Sequence, residues 1–390
     1  MPRFSPFPAL RYAKADLDDL VAPPYDVLSD ADRHTLQSRD PANAVRIDFP
    51  GGENFDDPYG RAAQLLAGWE FDGTLVRDAA ATFTIYRMTP PNGSATTGVL
   101  GALTLEAPGT GDILPHEQTT AKDKADRLSL LRATRVNTSP IWGLSLAAGL
   151  GALLDPHRSP DAHATDPDGV RHEVWIQRDR VVVEAIEKIA GSAPVVIADG
   201  HHRFETALTY QQEDPAADAL LCFLVELSPD ELEVRPIHRI ISGLAPGLDL
   251  AVALSRWFDT RELDTTPVHG DAGSHHRDGI VLLSSHATTL LQPKQGAFED
   301  AVQLDSERLV IALGALSTPS YPVEVRYHHD ANVVAAAVAA GIGVTGALIR
   351  PVSVAQIRRV ADSRTRMPAK STFFWPKPRS GMLFRPLPTA

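Results

Sequence analysis

Pro194-Val195-Val196-Ile197-Ala198-Asp199-Gly200-His201-His202-Arg203-Phe204-Glu205-Thr206-Ala207-Leu208 decides how this chain is read. Val195 to Ala198 is short, β-branched and apolar, as a strand buried on both faces should be. Phe204, Ala207 and Leu208 then recur at helical spacing, so the stretch predicts a strand feeding a helix through Asp199–Arg203. Gly200 permits a tight turn at that junction. The first N–H groups of the helix, unsatisfied within it, favour a phosphate or a carboxylate. Arg203 adds a planar donor fork, and His201 and His202 can donate to oxygens or shuttle protons near neutral pH. Asp199 can cap the helix, orient a histidine or help to hold a cation. A plain helix cap beneath a solvated His-His-Arg surface is the competing reading.

Working outward, strands are expected at Ile141 to Leu146 and Ala219 to Leu227, with a hairpin pairing Phe83–Met88 and Gly98–Leu105 around Pro90–Ser94. Helices are expected over Asp57–Phe71, about Lys122–Thr134, Arg180–Ile189, Asp249–Phe258 and a buried one over Ala331–Ala340. Ser29 and Asp32 cap a short helix through Leu36. Val21–Val27, with two prolines, reads as extended. Asp155–Asp168 reads as an exposed excursion. In the polar loop Ile113–Thr120, His116 and Glu117 can supply a general base, while Lys122, Lys124 and Arg127 can neutralise phosphate charge. The alternative is a solvated helix start with ordinary surface pairs. Lys370–Lys377 mixes hydroxyls, bases and aromatics, and either closes over a ligand or packs as a terminal strand. Asp26 and Tyr25 are a positioned base and its neighbour, or simply turn residues.

Bulk composition narrows the field. With 390 residues the chain is expected to form two or three folding units. The 49 acidic side chains outweigh the 37 basic ones for a net charge of -12, which speaks against nucleic acid or an anionic membrane as partner. Cys222 is the only cysteine, so disulfides and thiolate clusters are excluded, and its apolar setting predicts an inert buried thiol. The first ten residues lack the apolar core of a signal peptide, and Val333–Val344 is too short to span a bilayer, so a cytoplasmic location is expected. The adjacent histidines lack zinc-site spacing, so no resident metal is expected; magnesium arriving with a nucleotide fits better. The sequence holds no Walker phosphate loop, no Gly-x-Gly-x-x-Gly after a strand and no Gly-x-Ser-x-Gly elbow.

Further ordered motifs accompany Ile197–Ala207. They are Ala22-Pro23-Pro24-Tyr25-Asp26-Val27, Leu114-Pro115-His116-Glu117, Lys124-Ala125-Asp126-Arg127-Leu128, Asn137-Thr138-Ser139-Pro140-Ile141, Pro236-Ile237-His238-Arg239 and Met367–Lys377. Together they resemble the bacterial and archaeal DUF1015 family over almost the whole chain, with Gln118 and Ile237 as mild departures. Asp199–Arg203 is in turn similar to the phosphate-binding motif of the ParB/sulfiredoxin superfamily, which includes free-serine kinases. The resemblance implies a mixed α/β (α+β) fold: a ParB/sulfiredoxin-like core over 170–245, with N-terminal (1–150) and C-terminal (246–390) α/β regions. It implies that Gly200, His201, His202 and Arg203, aided by Lys124 and Arg127, hold phosphate. By the same resemblance Asp199 would support the turn or a cation and His202 would join the clamp; Glu117, with His116, is the base assigned from its own place in the polar loop rather than from the resemblance. ATP or ADP with Mg²⁺ would be the cofactor and free L-serine the first candidate substrate. Phosphoserine hydrolysis, or a non-catalytic nucleotide-binding protein of the DNA-partitioning kind, is the alternative; a homodimer is left open.

Overall fold

The structure, a computed structural model, describes residues 1–51, 56–91, 93–107, 109, 111–117, 124–264, 279–299, 303–341 and 345–388. It is a mixed α/β fold with several sheets, in two compact units. The first comprises Met1–Glu233, Ala361–Arg364 and Pro376–Ala390; the second comprises Val234–Val360 and Thr365–Trp375.

The first unit is built on a nine-stranded sheet. Its order runs Ile113–Pro115, Val195–Asp199, Ile141–Ser145, Ala219–Glu226, Thr96–Thr104, Phe83–Thr89, Arg171–Gln177 and Ala162–Thr165, with Phe4–Ser5 added alongside Thr96–Thr104. Residues 1–150 and 170–233 therefore share one sheet. Two pairings are parallel, Ile113–Pro115 with Val195–Asp199 and Ile141–Ser145 with Ala219–Glu226; the others are antiparallel. Thr96–Thr104 lies inside the sheet, between Ala219–Glu226 and Phe83–Thr89. The helix His201–Gln211 buries Phe204, Ala207 and Tyr210, each 5% exposed or less. Burial of each large apolar side chain stabilises by about 1.5–3 kcal/mol, which fixes the helix start relative to the sheet.

Local signals were mostly obeyed. Ser29 and Asp32 form a reciprocal capping box, and the helix they open runs Asp30–Arg39, past Leu36. The helix Pro58–Phe71 buries Ala62, Leu66 and Trp69. Two readings need correction here. Asp155–Asp168 is not wholly an exposed excursion, because Ala162–Thr165 pairs with Arg171–Val174 as the sheet's edge strand. Val21–Val27 is not extended throughout, because Tyr25–Val27 closes a 3₁₀ turn after Pro24.

The second unit has a six-stranded antiparallel sheet in the order Phe258–Leu263, Thr288–Pro293, Ile280–Leu283, Thr345–Leu348, His238–Ser242 and Glu324–His328. The helix Asp305–Leu316 packs Leu309, Ala312 and Leu313 into one core, and Ala331–Ala339 packs Val334 and Val338 into another. The helix expected over Asp249–Phe258 is shorter, Leu250–Leu254 with Asp249 as its cap, because Phe258 already belongs to a strand paired with Pro293. Ala331–Ala339 buries only Val334 and Val338, so one face of it is covered rather than the whole helix. Among the described residues no helix is long and apolar enough to cross a membrane.

Candidate functional site

Strand pairing explains why distant motifs meet in the first unit. Ile113–Pro115 runs parallel to Val195–Asp199 with Pro115 opposite Ile197, so His116 and Glu117 emerge at the end where Asp199–Arg203 turns into the helix. Ile141–Ser145 runs antiparallel with Trp142 opposite Asp199, so Ser139 and Pro140 enter at that same end. The carboxyl ends of adjacent parallel strands are where α/β sheets tend to place ligands.

Gly200 sits in the left-handed region at φ 87°, ψ 28° and begins the helix His201–Gln211 with no side-chain cap. A Cβ there would lie 2.8 Å from Ile141 Cγ2 and 3.1 Å from Arg203 Nε. Both backbone angle and space therefore require glycine. The turn leaves the first N–H groups of an eleven-residue helix facing the convergence of motifs.

Two groups of side chains surround this turn. One is an ion-pair lattice. Asp199 Oδ1 accepts from Lys377 Nζ at 2.7 Å, and Oδ2 accepts from Arg203 Nη2 at 3.1 Å. Burial would raise the Asp199 pKa, but Lys377 and Arg203 override it and hold the carboxyl well below the usual carboxylate range. Arg203 Nη1 donates to the Pro140 carbonyl and, at 3.3 Å, to Ser139 Oγ; Asp26 lies 3.9 Å from Nη2. Much of the guanidinium fork is thus occupied by protein, while its Nε is buried without a partner.

The other group is His116, Glu117 and His201. His116 is 2% exposed, and its Nδ1 meets the Ile197 carbonyl. A carbonyl only accepts, so Nδ1 carries the proton and Nε2 faces Glu117 Oε1, 3.5 Å away. The rings of His116 and His201 lie 5.0 Å apart. Burial first, then His116, pushes the His201 pKa down to about 3, and its buried Nε2 has no partner among the described residues. A neutral imidazole is therefore held at the helix start with one ring nitrogen unused.

The remaining residues singled out from sequence fall as follows. His202 is half-buried on the same helix. Arg127 is buried, donating to Asp126 Oδ2 from Nε at 2.8 Å and to the Asp48 carbonyl from Nη1 at 2.6 Å, beneath the Tyr25 ring at 3.9 Å. Burial pushes the Tyr25 phenol up to about 12. Lys124 opens the helix Lys124–Thr134; its side chain, and Gln118 to Asp123 with Lys122 among them, lie outside the described residues. Lys377 belongs to the first unit and Lys370 to the second.

Asp48 is a residue that sequence reasoning missed. It is 1% exposed and accepts from Thr138 Oγ1 at 2.6 Å and Ser380 Oγ at 2.7 Å, with Arg127 Nη1 3.8 Å away. A cavity of about 50 Å³ bordered by Asp48, Arg127, Ser139, Arg203 and Thr206 has room for roughly one water molecule, not a nucleotide. Among the described residues, the grouping suited to a metal is Asp16, Asp18 and His163, whose ligand atoms lie within 4.8 Å of one another. Two of its oxygens already accept backbone N–H groups, Asp16 Oδ1 from Asp18 in a local turn and Asp18 Oδ1 from Thr165.

Among curated protein sequences nothing matches this chain. Solved structures give remote similarity of fold. A conserved hypothetical protein from Pyrococcus furiosus is 10% identical, with TM-score 0.37 over 67% of this chain and 87% of that one. A free serine kinase in complex with AMP is 11% identical, with TM-score 0.38 over 74% and 89%. SbnI from Staphylococcus aureus, truncated at its C-terminus, is 11% identical, with TM-score 0.39 over 72% and 85%. The family described as "Protein of unknown function (DUF1015)" matches residues 4–309, and the chain belongs to it.

Proposed function

We propose that the first unit is a phosphotransferase acting on a small hydroxylated metabolite, with nucleotide-dependent phosphorylation of free L-serine as its first assignment. The observation that carries this reading is the placement of the His116–Glu117 pair against His201 at an uncapped helix start. Phosphoryl transfer asks a protein mainly for positioning and charge stabilisation, so a Walker motif is not required. The open N–H groups after Gly200 and the unused Nε2 of His201 suit phosphate oxygens. Glu117 suits the base that receives the hydroxyl proton, with His116 Nε2 3.5 Å from its Oε1 to orient it.

Bound ATP or ADP would supply the phosphoryl group. Both oxygens of Asp199 are already held by cations, so Mg²⁺ would enter on the nucleotide's phosphates rather than on this carboxylate. The role of Asp199 is then to orient Arg203 and Lys377. The division of the chain into a ParB/sulfiredoxin-like core over 170–245 flanked by α/β regions belongs to the same reading.

Phosphorus NMR of the full chain with Mg²⁺, ATP or ADP and L-serine tests it. Phosphoserine should appear, fall by about 10²–10⁴-fold with Glu117→Gln, and fall also with His202→Ala. No turnover with either nucleotide would overturn the kinase assignment. Release of inorganic phosphate from phosphoserine would move it to hydrolysis at the same site, and nucleotide binding without turnover would make the unit a sensor.

A further inference from the structure

The second unit contains a cavity of about 900 Å³ whose lining is strongly basic. It lies between the segment following the strand Thr288–Pro293, the start of the helix Asp305–Leu316, and Arg350 with the helix Val354–Asp362. Lys294, Arg308, Arg350 and Arg359 face two carboxylates, Glu299 and Asp305. Asp305 is 7% exposed and is consumed by Arg350, accepting from its Nε at 2.7 Å and its Nη2 at 2.6 Å. Lys294 Nζ donates to the Ser255 carbonyl at 2.6 Å. With Asp305 taken by Arg350, Glu299 is the one remaining carboxylate of the lining against Lys294, Arg308 and Arg359.

Arg308 is the informative one. Its nearest carboxylate contact, Nη1 to Asp305 Oδ1, is 3.7 Å, too long for a hydrogen bond. Its Nε is buried and has no partner among the described residues. A buried guanidinium N–H without an acceptor costs free energy unless a ligand supplies one. The helix on which Arg308 lies has no side-chain cap, and Leu304, Asp305 and Ser306 at its start border the same space, with Asp305 already held by Arg350. Arg359 is exposed at the rim. The remaining lining includes four glutamines, which donate and accept but bring no charge.

From this arrangement we infer that the second unit binds a phosphorylated polar small molecule in the cavity, its phosphate held by Arg308, Arg359 and the uncapped start of the helix Asp305–Leu316. The volume is in the range of small-ligand pockets and far larger than one phosphate, so the ligand carries a polar body that the glutamines recognise. Guanidinium groups bind phosphate through paired N–H donors, which a point charge cannot match. This site uses none of the residues assigned to phosphoryl transfer and stands whether or not that assignment does.

The test is hydrogen–deuterium exchange of the full chain titrated with inorganic pyrophosphate, at ionic strength held constant with sodium chloride. Peptides covering 303–316 and 350–362 should gain protection. The half-saturating concentration should rise about tenfold or more in Arg308→Gln and in Arg359→Glu. Because Arg359 is exposed, its reversal leaves the fold intact and decides the matter even if Arg308→Gln misfolds. No protection in these peptides, or an unchanged midpoint in Arg359→Glu, would overturn the inference.

Discussion

Replacing Gly200 by alanine should damage the first unit in two separable ways. An L-residue held at φ 87° incurs about 1–2 kcal/mol of backbone strain. Its Cβ would also sit 2.8 Å from Ile141 Cγ2, with the Arg203 guanidinium on another side, and forcing a methyl into so tight a space costs about 1–3 kcal/mol. Together these give a loss of about 2–5 kcal/mol. Gly73 provides the control, because it has φ 79° and nothing within 4 Å of its would-be Cβ, so Gly73→Ala should show the strain alone, about 1–2 kcal/mol. Urea denaturation followed by tryptophan fluorescence measures both, compared at unchanged slope. If the two variants lose the same stability, the close packing of Gly200 against Ile141 and Arg203 is not what fixes glycine there.

Asp199→Asn should lower stability by about 3 kcal/mol, the bottom of the range for breaking a buried pair, because the carboxylate is one-fifth exposed. In a double-mutant cycle with Lys377→Met the two losses should be strongly non-additive; simple additivity would remove the pair from the argument. The His201 ring should stay neutral down to about pH 3. Since the unfolded chain binds a proton near pH 6.5 and the folded one does not, this residue's contribution is intact above about pH 6.5 and declines as pH falls toward 3. His201→Phe should flatten the stability profile in that window, and an unchanged profile would count against a neutral imidazole. Burial raises the Cys222 thiol pKa, so a thiol reagent should label it only at the rate of unfolding, and rapid labelling of native protein would contradict the buried strand.

What was legible in the sequence was local. A β-branched run ending in Asp-Gly before helical periodicity specifies its own turn, because glycine's freedom and the apolar spacing act within a few residues. Capping by Ser29 and Asp32 is equally short-range. The meeting of His116 with His201 was only suspected, since it depends on Ile113–Pro115 choosing a parallel register about eighty residues away in sequence. Asp48 was invisible: Arg46-Ile47-Asp48-Phe49 carries no pattern, and its partners Thr138 and Ser380 lie 90 and 332 residues away in the chain. Lys377 was noticed in a basic, aromatic tail, but nothing local names Asp199 as its partner. In the second unit the helix start at Asp249 was read and its end was not, because Phe258 is claimed by a partner strand rather than by its own helix.

The last stretch of the first unit has a bearing on how the chain comes off the ribosome. Ser380 bonds Asp48, Arg379 pairs with Asp166 and donates its backbone N–H to Tyr86, and Phe384 is hydrogen-bonded to Leu10 through the backbone in both directions. Each closes a loop spanning two hundred residues or more, and the intervening second unit is translated before any can form. Until those residues emerge, Asp199 waits without Lys377 and Asp48 without Ser380, their charges solvated in a half-assembled pocket. Contacts of such separation form late and slowly. The polar lattice around Gly200 is therefore completed only after the second unit has been synthesised.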